Sequence, residues 1–331
     1  MEYHPMFYQG CYWERMEIMD QHFATTPRKS SPANRLPFSE RVLSSGKDIL
    51  SLTKPGINLS NLFACLAGYW LASGGVPEWR SLSWALLGTA LVVGGSCALN
   101  NGIDRDFDRK MERTKHRPVP SGRIDWRAAV LLGLILTGAG VWLLFLGVNP
   151  LAAGLAAAGS FLYVVIYTLW LKRSSASNTV IGGLSGAIPP LIGWAAAGQG
   201  LTWTAWILFF ILFLWQPPHF FALALLKTDD YRRAGIPMLP VVKGERSTRR
   251  QMLFFVCLLL PVSLLLVGTG AVSWGYSVAA WVLGVSYLIL ALLRFKEDGE
   301  KRWARWMFRY SLIYLTLILT AIAIFADPFP Q

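Results

Sequence analysis

The chain has 331 residues and a formal charge of +12, from 31 Lys and Arg against 19 Asp and Glu. Hydrophobic types make up 54% and charged types only 15%, against about 25% in a typical soluble domain, which excludes a soluble globular enzyme and, equally, a disordered chain. A basic excess often signals nucleic acid, but on so apolar a chain the charge must collect in a few places; the class that fits is a polytopic membrane protein with the lipid bilayer, not nucleic acid, as its partner.

Residues 1–50 are polar and mixed in sign, with Glu2, Glu14, Glu17 and Asp20 and the flexible-reading runs Ser30-Ser31-Pro32 and Ser44-Ser45-Gly46. They read as a flexible cytoplasmic tail ahead of one transmembrane domain, 51–331. Nine apolar stretches follow, each near the ~20 residues that span a bilayer: 56–74, 82–101, 128–147, 151–171, 177–198, 203–225, 251–270, 274–293 and 306–326. Lipid-exposed backbone must satisfy itself internally, so the fold class is an all-α bundle of nine transmembrane helices.

Orientation follows from where the basic residues fall. Of the 31 Lys and Arg, 29 lie in the tail through Lys54 or in segments 103–127, 172–176, 226–250 and 294–305; only Arg80 lies in a loop on the other side. The N-terminus and those loops are therefore expected in the cytoplasm and the C-terminus outside, in the cell membrane. Trp142, Trp170, Trp203, Trp274 and Trp306 sit near span ends, as an aromatic belt should. The four cysteines, Cys11, Cys65, Cys97 and Cys257, have neither disulfide nor metal-ligand spacing. Three lie in apolar runs and read as small buried hydrophobes.

Two polar clusters stand at the cytoplasmic boundary. The second span ends in Asn100, Asp104 and Asp108, spaced i, i+4, i+8, which places all three on one helical face and Asp106 roughly opposite. Two carboxylates on one face repel and call for a counter-ion. Two carboxylates and an amide oxygen suit Mg²⁺, a hard cation that is usually shared with substrate phosphates. Lys110, Arg113, Lys115, His116 and Arg117 follow at once. Acids beside bases suggest a metal-bridged polyphosphate, with guanidinium groups on the remaining oxygens. After the sixth span, Lys227-Thr228-Asp229-Asp230-Tyr231-Arg232-Arg233 leads to Pro237, Pro240 and Gly244. The shared run from acids through bases to Pro and Gly hints at a repeat whose polar loops face each other. Inside the sixth span, Gln216-Pro217-Pro218-His219 should break or kink the helix and leave His219 on disturbed backbone within the membrane. Gly182, Gly183 and Gly186 with Pro189-Pro190 in the fifth span suggest a cavity lined by small residues.

Asn100-x3-Asp104-x3-Asp108 at the end of the second span, with a second aspartate loop after the sixth, resembles the UbiA superfamily of intramembrane prenyltransferases. Within it, Leu52-Thr53-Lys54-Pro55, Asn101 through Gly122, Asn178 through Pro190, Trp215 through Phe220 and Asp230 through Pro240 resemble the heme O synthases. The resemblance covers about 50–326. It implies transfer of a farnesyl group from farnesyl diphosphate to a vinyl group of heme B, with addition of water. Asp104 and Asp108 would hold Mg²⁺ with Asn100 in support. Lys110, Arg113, Lys115, Arg117, Arg232 and Arg233 would bind diphosphate. Lys227, Asp230 and Tyr231 would complete the catalytic set, and His219 would contact heme. Heme A synthase, which follows in the same biosynthesis, is a candidate partner. The chain departs from the family at Gly56, where arginine is common, and at Lys227, where the first aspartate of a second Asp-x3-Asp would fall; the number of metal ions stays open. The rival functions are a prenyltransferase for an aromatic quinone precursor and, in a different class, a transporter of anionic metabolites.

Overall fold

The computed structural model describes residues 46–293 and 300–327. Cys11 and most of the expected tail lie outside them; residues 46–50, the tail's last part, are helical, and that helix runs on to Leu52, which is buried. Among the described residues the chain forms nine long helices: α1 (Pro55–Ala72), α2 (Trp79–Ile103), α3 (Trp126–Gly147), α4 (Pro150–Ser174), α5 (Asn178–Ala196), α6 (Trp203–Leu226), α7 (Leu239–Leu265), α8 (Trp274–Leu292) and α9 (Glu300–Ile324). The only extended pairing among the described residues is an isolated bridge between Val272 and Ala326, outside these helices. The all-α class stands, and the chain is a multi-pass membrane protein.

The span count needs one correction. Eight of the helices are long and apolar enough to cross a membrane by length and composition; α1 is the ninth, less apolar, and it too runs from Lys54 beside Asn100 at one end of the bundle to Trp70, whose Nε1 donates to Ala323 O, at the other. Its first two turns carry Asn58, Ser60 and Asn61. Asn58 Nδ2 donates to Ala90 O of α2 at 3.0 Å, and Asn61 Nδ2 donates to Ile57 O within α1 at 2.7 Å. Boundaries also move. Pro189 and Pro190 have no backbone N–H, so α5 is two pieces, Asn178–Gly186 and Pro189–Ala196. The helix of α7 begins well before residue 251 and is interrupted at Gly244, whose φ of 74° favours glycine.

Close packing rests on small residues. On α2 and α3, Gly95 and Gly133 face each other so tightly that a Cβ on either would lie 2.7 or 2.8 Å from the other's carbonyl oxygen. Helices in lipid gain no hydrophobic drive from one another, so backbone approach of this kind supplies the attraction. The α5 glycines expected to line a cavity are filled instead. A Cβ on Gly186 would meet the Gln216 amide at 2.3 Å and one on Gly182 the Tyr167 ring at 2.6 Å. Cys65 and Cys97 are buried as expected, but Cys257 is exposed on the outer surface of α7.

One end of the bundle is tied by Ser81 Oγ donating to Ala196 O, Asn149 Nδ2 to Ala195 O and Ser273 N to Phe325 O. The other end gathers residues 54, 100–117, 168–173 and 227–238, where every candidate polar residue but His219 lies. Trp142, Trp170, Trp203, Trp274 and Trp306 are all exposed near helix ends, as the belt requires.

Candidate active site

Backbone hydrogen bonds run on from α2 through Asp104 N–Asn100 O and Asp108 N–Asp104 O, both 2.9 Å. The helical face read from the spacing is therefore real. Asn100, Asp104 and Asp108 are all buried, while the side chain of Asp106 is 64% exposed and pairs with Arg105 and Arg109.

Three distant segments meet this face. Lys54 Nζ donates to Asn100 Oδ1 at 2.7 Å. Asn100 Nδ2 donates to Asp104 Oδ2 at 2.7 Å and to Thr168 Oγ1 at 3.1 Å. Lys172 Nζ donates to Asp104 Oδ2 at 2.5 Å, and Arg173 Nη2 stands 3.8 Å from Oδ1. Oδ1 itself is buried and accepts no hydrogen bond. Arg117 Nη1 donates to Asp108 Oδ2 at 3.1 Å. Burial would raise the Asp108 carboxyl, but Arg117, Lys172, Lys54 and Arg113 together hold it below the usual range. Five cationic side chains thus surround two carboxylates. That imbalance suits a polyanion far better than a lone metal ion.

Local structure explains the placement. Residues 162–171 of α4 form a π-helix, in which Thr168 Oγ1 donates to Tyr163 O at 2.8 Å. Its register brings Thr168 and Lys172 to the end of α2; π-segments of this kind recur at functional sites. Lys54 has φ 47°, the one non-glycine positive φ among the described residues. Such backbone costs ~1–3 kcal/mol and persists where the surroundings impose it. Burial pushes the Lys54 ammonium down to about 8, and the Arg117 guanidinium adds to the push.

The two polar loops do face each other. Met111, with Phe107 beside it, packs against Ala234, Ile236 and Met238, with Tyr231 at the margin. The exposed Glu112 carboxyl is held low by Lys115, which bonds it at 2.5 Å, and also by Arg233 of the opposite loop. Not every candidate is engaged alike. Lys110 is exposed, Lys115 is occupied by Glu112, and Arg232 is paired at the surface with Asp229. Asp230 is buried beside Arg233, its partner. Lys227 is half-buried, and its ammonium makes no hydrogen bond or ion pair among the described residues. The sequence reading missed Lys54, Thr168, Lys172 and Arg173 as site residues. The signal was present in the basic pair closing an apolar span, and in the lysine before Pro55.

Of the break or kink expected in α6, a break does not occur: the helix is continuous from Trp203 to Leu226 through both prolines. Gln216 Nε2 donates to Gly183 O at 2.9 Å and ties α6 to α5. His219 is bonded to Ser311 of α9 and stacked with aromatic rings, apart from the hydrogen-bond network around Asp104.

A family model described as the UbiA prenyltransferase family matches residues 61–313. The chain belongs to that family. Among relatives of this UbiA member, the protoheme IX farnesyltransferase of Alkalihalophilus pseudofirmus is 50% identical over 285 residues, 85% of this chain and 90% of that one. The fold is shared with solved structures of low identity. A digeranylgeranylglyceryl phosphate synthase superposes with TM-score 0.71 at 20% identity, covering 84% of this chain and 97% of its own. A UbiA homolog from Archaeoglobus fulgidus, bound to GPP and Mg2+, gives TM-score 0.64 at 14% identity, with 83% and 99% covered.

Proposed function

We propose that this membrane prenyltransferase transfers the farnesyl group of farnesyl diphosphate to a vinyl group of heme B, with addition of water, releasing heme O and diphosphate. The observation that carries the reading is the half-identity to a protoheme IX farnesyltransferase along nearly its whole length.

The site chemistry supports it. A divalent metal fits the donor set: Asp104 Oδ1 is buried with no hydrogen-bond donor, and two carboxylates with an amide match the sparse protein ligation that Mg²⁺ accepts. Asp104 and Asp108 would hold it, with Asn100 in support. When bound, Mg²⁺ neutralises charge on the diphosphate. Lys54, Lys172, Arg173, Arg113 and Arg117 converge on the same region and stabilise the leaving diphosphate as the carbon–oxygen bond breaks. Lys227, Tyr231, Asp230 and Arg233 close the opposite side. Lys110, Lys115 and Arg232, at the rim, guide the anion in. The allylic cation needs shelter from water until the vinyl carbon attacks, and the apolar bundle provides it. We place the N-terminus and this site on the cytoplasmic side of the cell membrane and the C-terminus outside, and heme A synthase as the enzyme that takes up the product.

Heme extraction from membranes with and without the protein tests the reading. New heme O is expected with the wild type, and none with Asp104→Ala at equal membrane abundance. Near-normal heme O from Asp104→Ala would sink the assignment of the site.

A further inference from the structure

Helices α6 and α9 meet in a polar knot that the diphosphate chemistry does not use. Trp215 Nε1 donates to the Ser311 backbone carbonyl at 2.7 Å. One turn further along α6, His219 Nδ1 lies 2.7 Å from Ser311 Oγ. That same hydroxyl lies 2.6 Å from the Phe308 carbonyl oxygen. The arrangement that satisfies both contacts has Ser311 donating its single proton to Phe308 O, since a carbonyl has none to give. In that arrangement Ser311 Oγ accepts from His219, which carries its proton on Nδ1. The neutral imidazole is left with its lone pair on Nε2, which makes no hydrogen bond among the described residues.

The ring is also held in place. It stacks with Trp215 at 4.8 Å and Phe308 at 4.7 Å between centroids, and Phe220 meets it edge-on at 5.1 Å. Stacking occupies the faces and Ser311 occupies the Nδ1 edge. The Nε2 edge is what remains for a ligand.

We infer that Ser311 is a positioning residue: it holds His219 in the Nδ1–H tautomer so that Nε2 ligates the iron of the heme acceptor. The inference rests on the heme reading above. Axial ligation needs an imidazole that presents a nitrogen lone pair in the ring plane, and the knot supplies that. Ligating histidines as a rule donate their other N–H to a fixed group, which sets tautomer and ring orientation. Here the group is a hydroxyl anchored from both sides, by Phe308 on its own helix and by the α6 contacts.

The test uses the full-length protein in lipid nanodiscs, titrated with ferric heme b and followed by its Soret and charge-transfer bands. The wild type should show an imidazole-ligated spectrum. His219→Ala should lose it, and His219→Gly should regain it on adding imidazole. Ser311→Ala should weaken heme binding by ~10–100-fold, the usual cost of losing such a partner, and Ser311→Thr should restore it. Farnesyl diphosphate binding should survive in each variant. An unchanged spectrum in His219→Ala, or unchanged heme affinity in Ser311→Ala, overturns the inference. Should Ser311→Ala lose farnesyl diphosphate binding too, the imidazole response of His219→Gly decides: no response overturns the inference. Heme O formation by the wild type separates the two failures. Heme O with unmoved spectra removes only the ligation; no heme O removes the heme reading itself.

Discussion

Asp104 is buried, yet one of its oxygens takes two donors and the other takes none. The lysine on the satisfied oxygen is itself mostly buried. Truncating one partner of such a pair leaves an uncompensated charge and costs about 3–5 kcal/mol. Lys172→Met is therefore expected to lower the melting temperature in detergent and to reduce heme O formation to background. Lys172→Arg, which keeps the charge, should recover most of the stability and only part of the activity. The prediction fails if Lys172→Met melts and turns over like the wild type. Legibility at this scale divides sharply. The Asn100, Asp104, Asp108 face was readable because helical period projects four-residue spacing onto one side. Lys54 and Lys172 were not, because their partners lie 46 and 68 residues away in sequence. No local rule links positions so far apart.

At the scale of elements, two sequence signals pointed the wrong way. Pro217-Pro218 signals a break or a kink, yet α6 runs through them as one unbroken helix. In lipid, neighbouring helices re-satisfy the backbone groups that proline frees, so proline is tolerated there. Gly182 and Gly186 were read as a cavity wall, but they are the sockets for Tyr167 and Gln216. Glycine marks close approach of something; the sequence does not say whether that is ligand or protein. The α2–α3 contact allows a clean test. Gly95→Leu should push the helices apart at a cost of roughly 1–3 kcal/mol or more, read as loss of thermal stability in detergent. Gly138→Leu, on the same helix pair but facing open space, should be tolerated. Equal effects at both positions would contradict the packing.

For the whole molecule, charge patterning alone carried the topology. Apolar runs gave the helices, and basic residues sorted their ends, because a bilayer imposes both constraints everywhere at once. Among the described residues, the structure brings Lys54, 103–117, 172–173 and 227–238 of these segments to one end of the bundle. What no pattern revealed was how that end is assembled, with the second loop packed on the first through Met111, Ile236 and Met238. Sidedness itself is open to direct measurement. A cysteine at Lys110 (Lys110→Cys) should react with a membrane-impermeant maleimide only in inverted vesicles, and one at Gly200 (Gly200→Cys) only in intact cells. The opposite pattern would reverse the orientation and move the diphosphate entrance to the outer face.

The lysine seated on Asp104 has a consequence for the working cycle. An empty pocket with bare carboxylates would have to strip and re-hydrate charge on every turnover. Here Lys172 already sits on one oxygen of the Asp104 carboxylate. A diphosphate held beside Asp104 would offer this ammonium a second anionic partner, and Lys172 would pass between carboxylate and phosphate without returning to water. Binding would then be an exchange of ionic partners among groups already buried, and the incoming anion would offset the positive excess of five cations around two carboxylates.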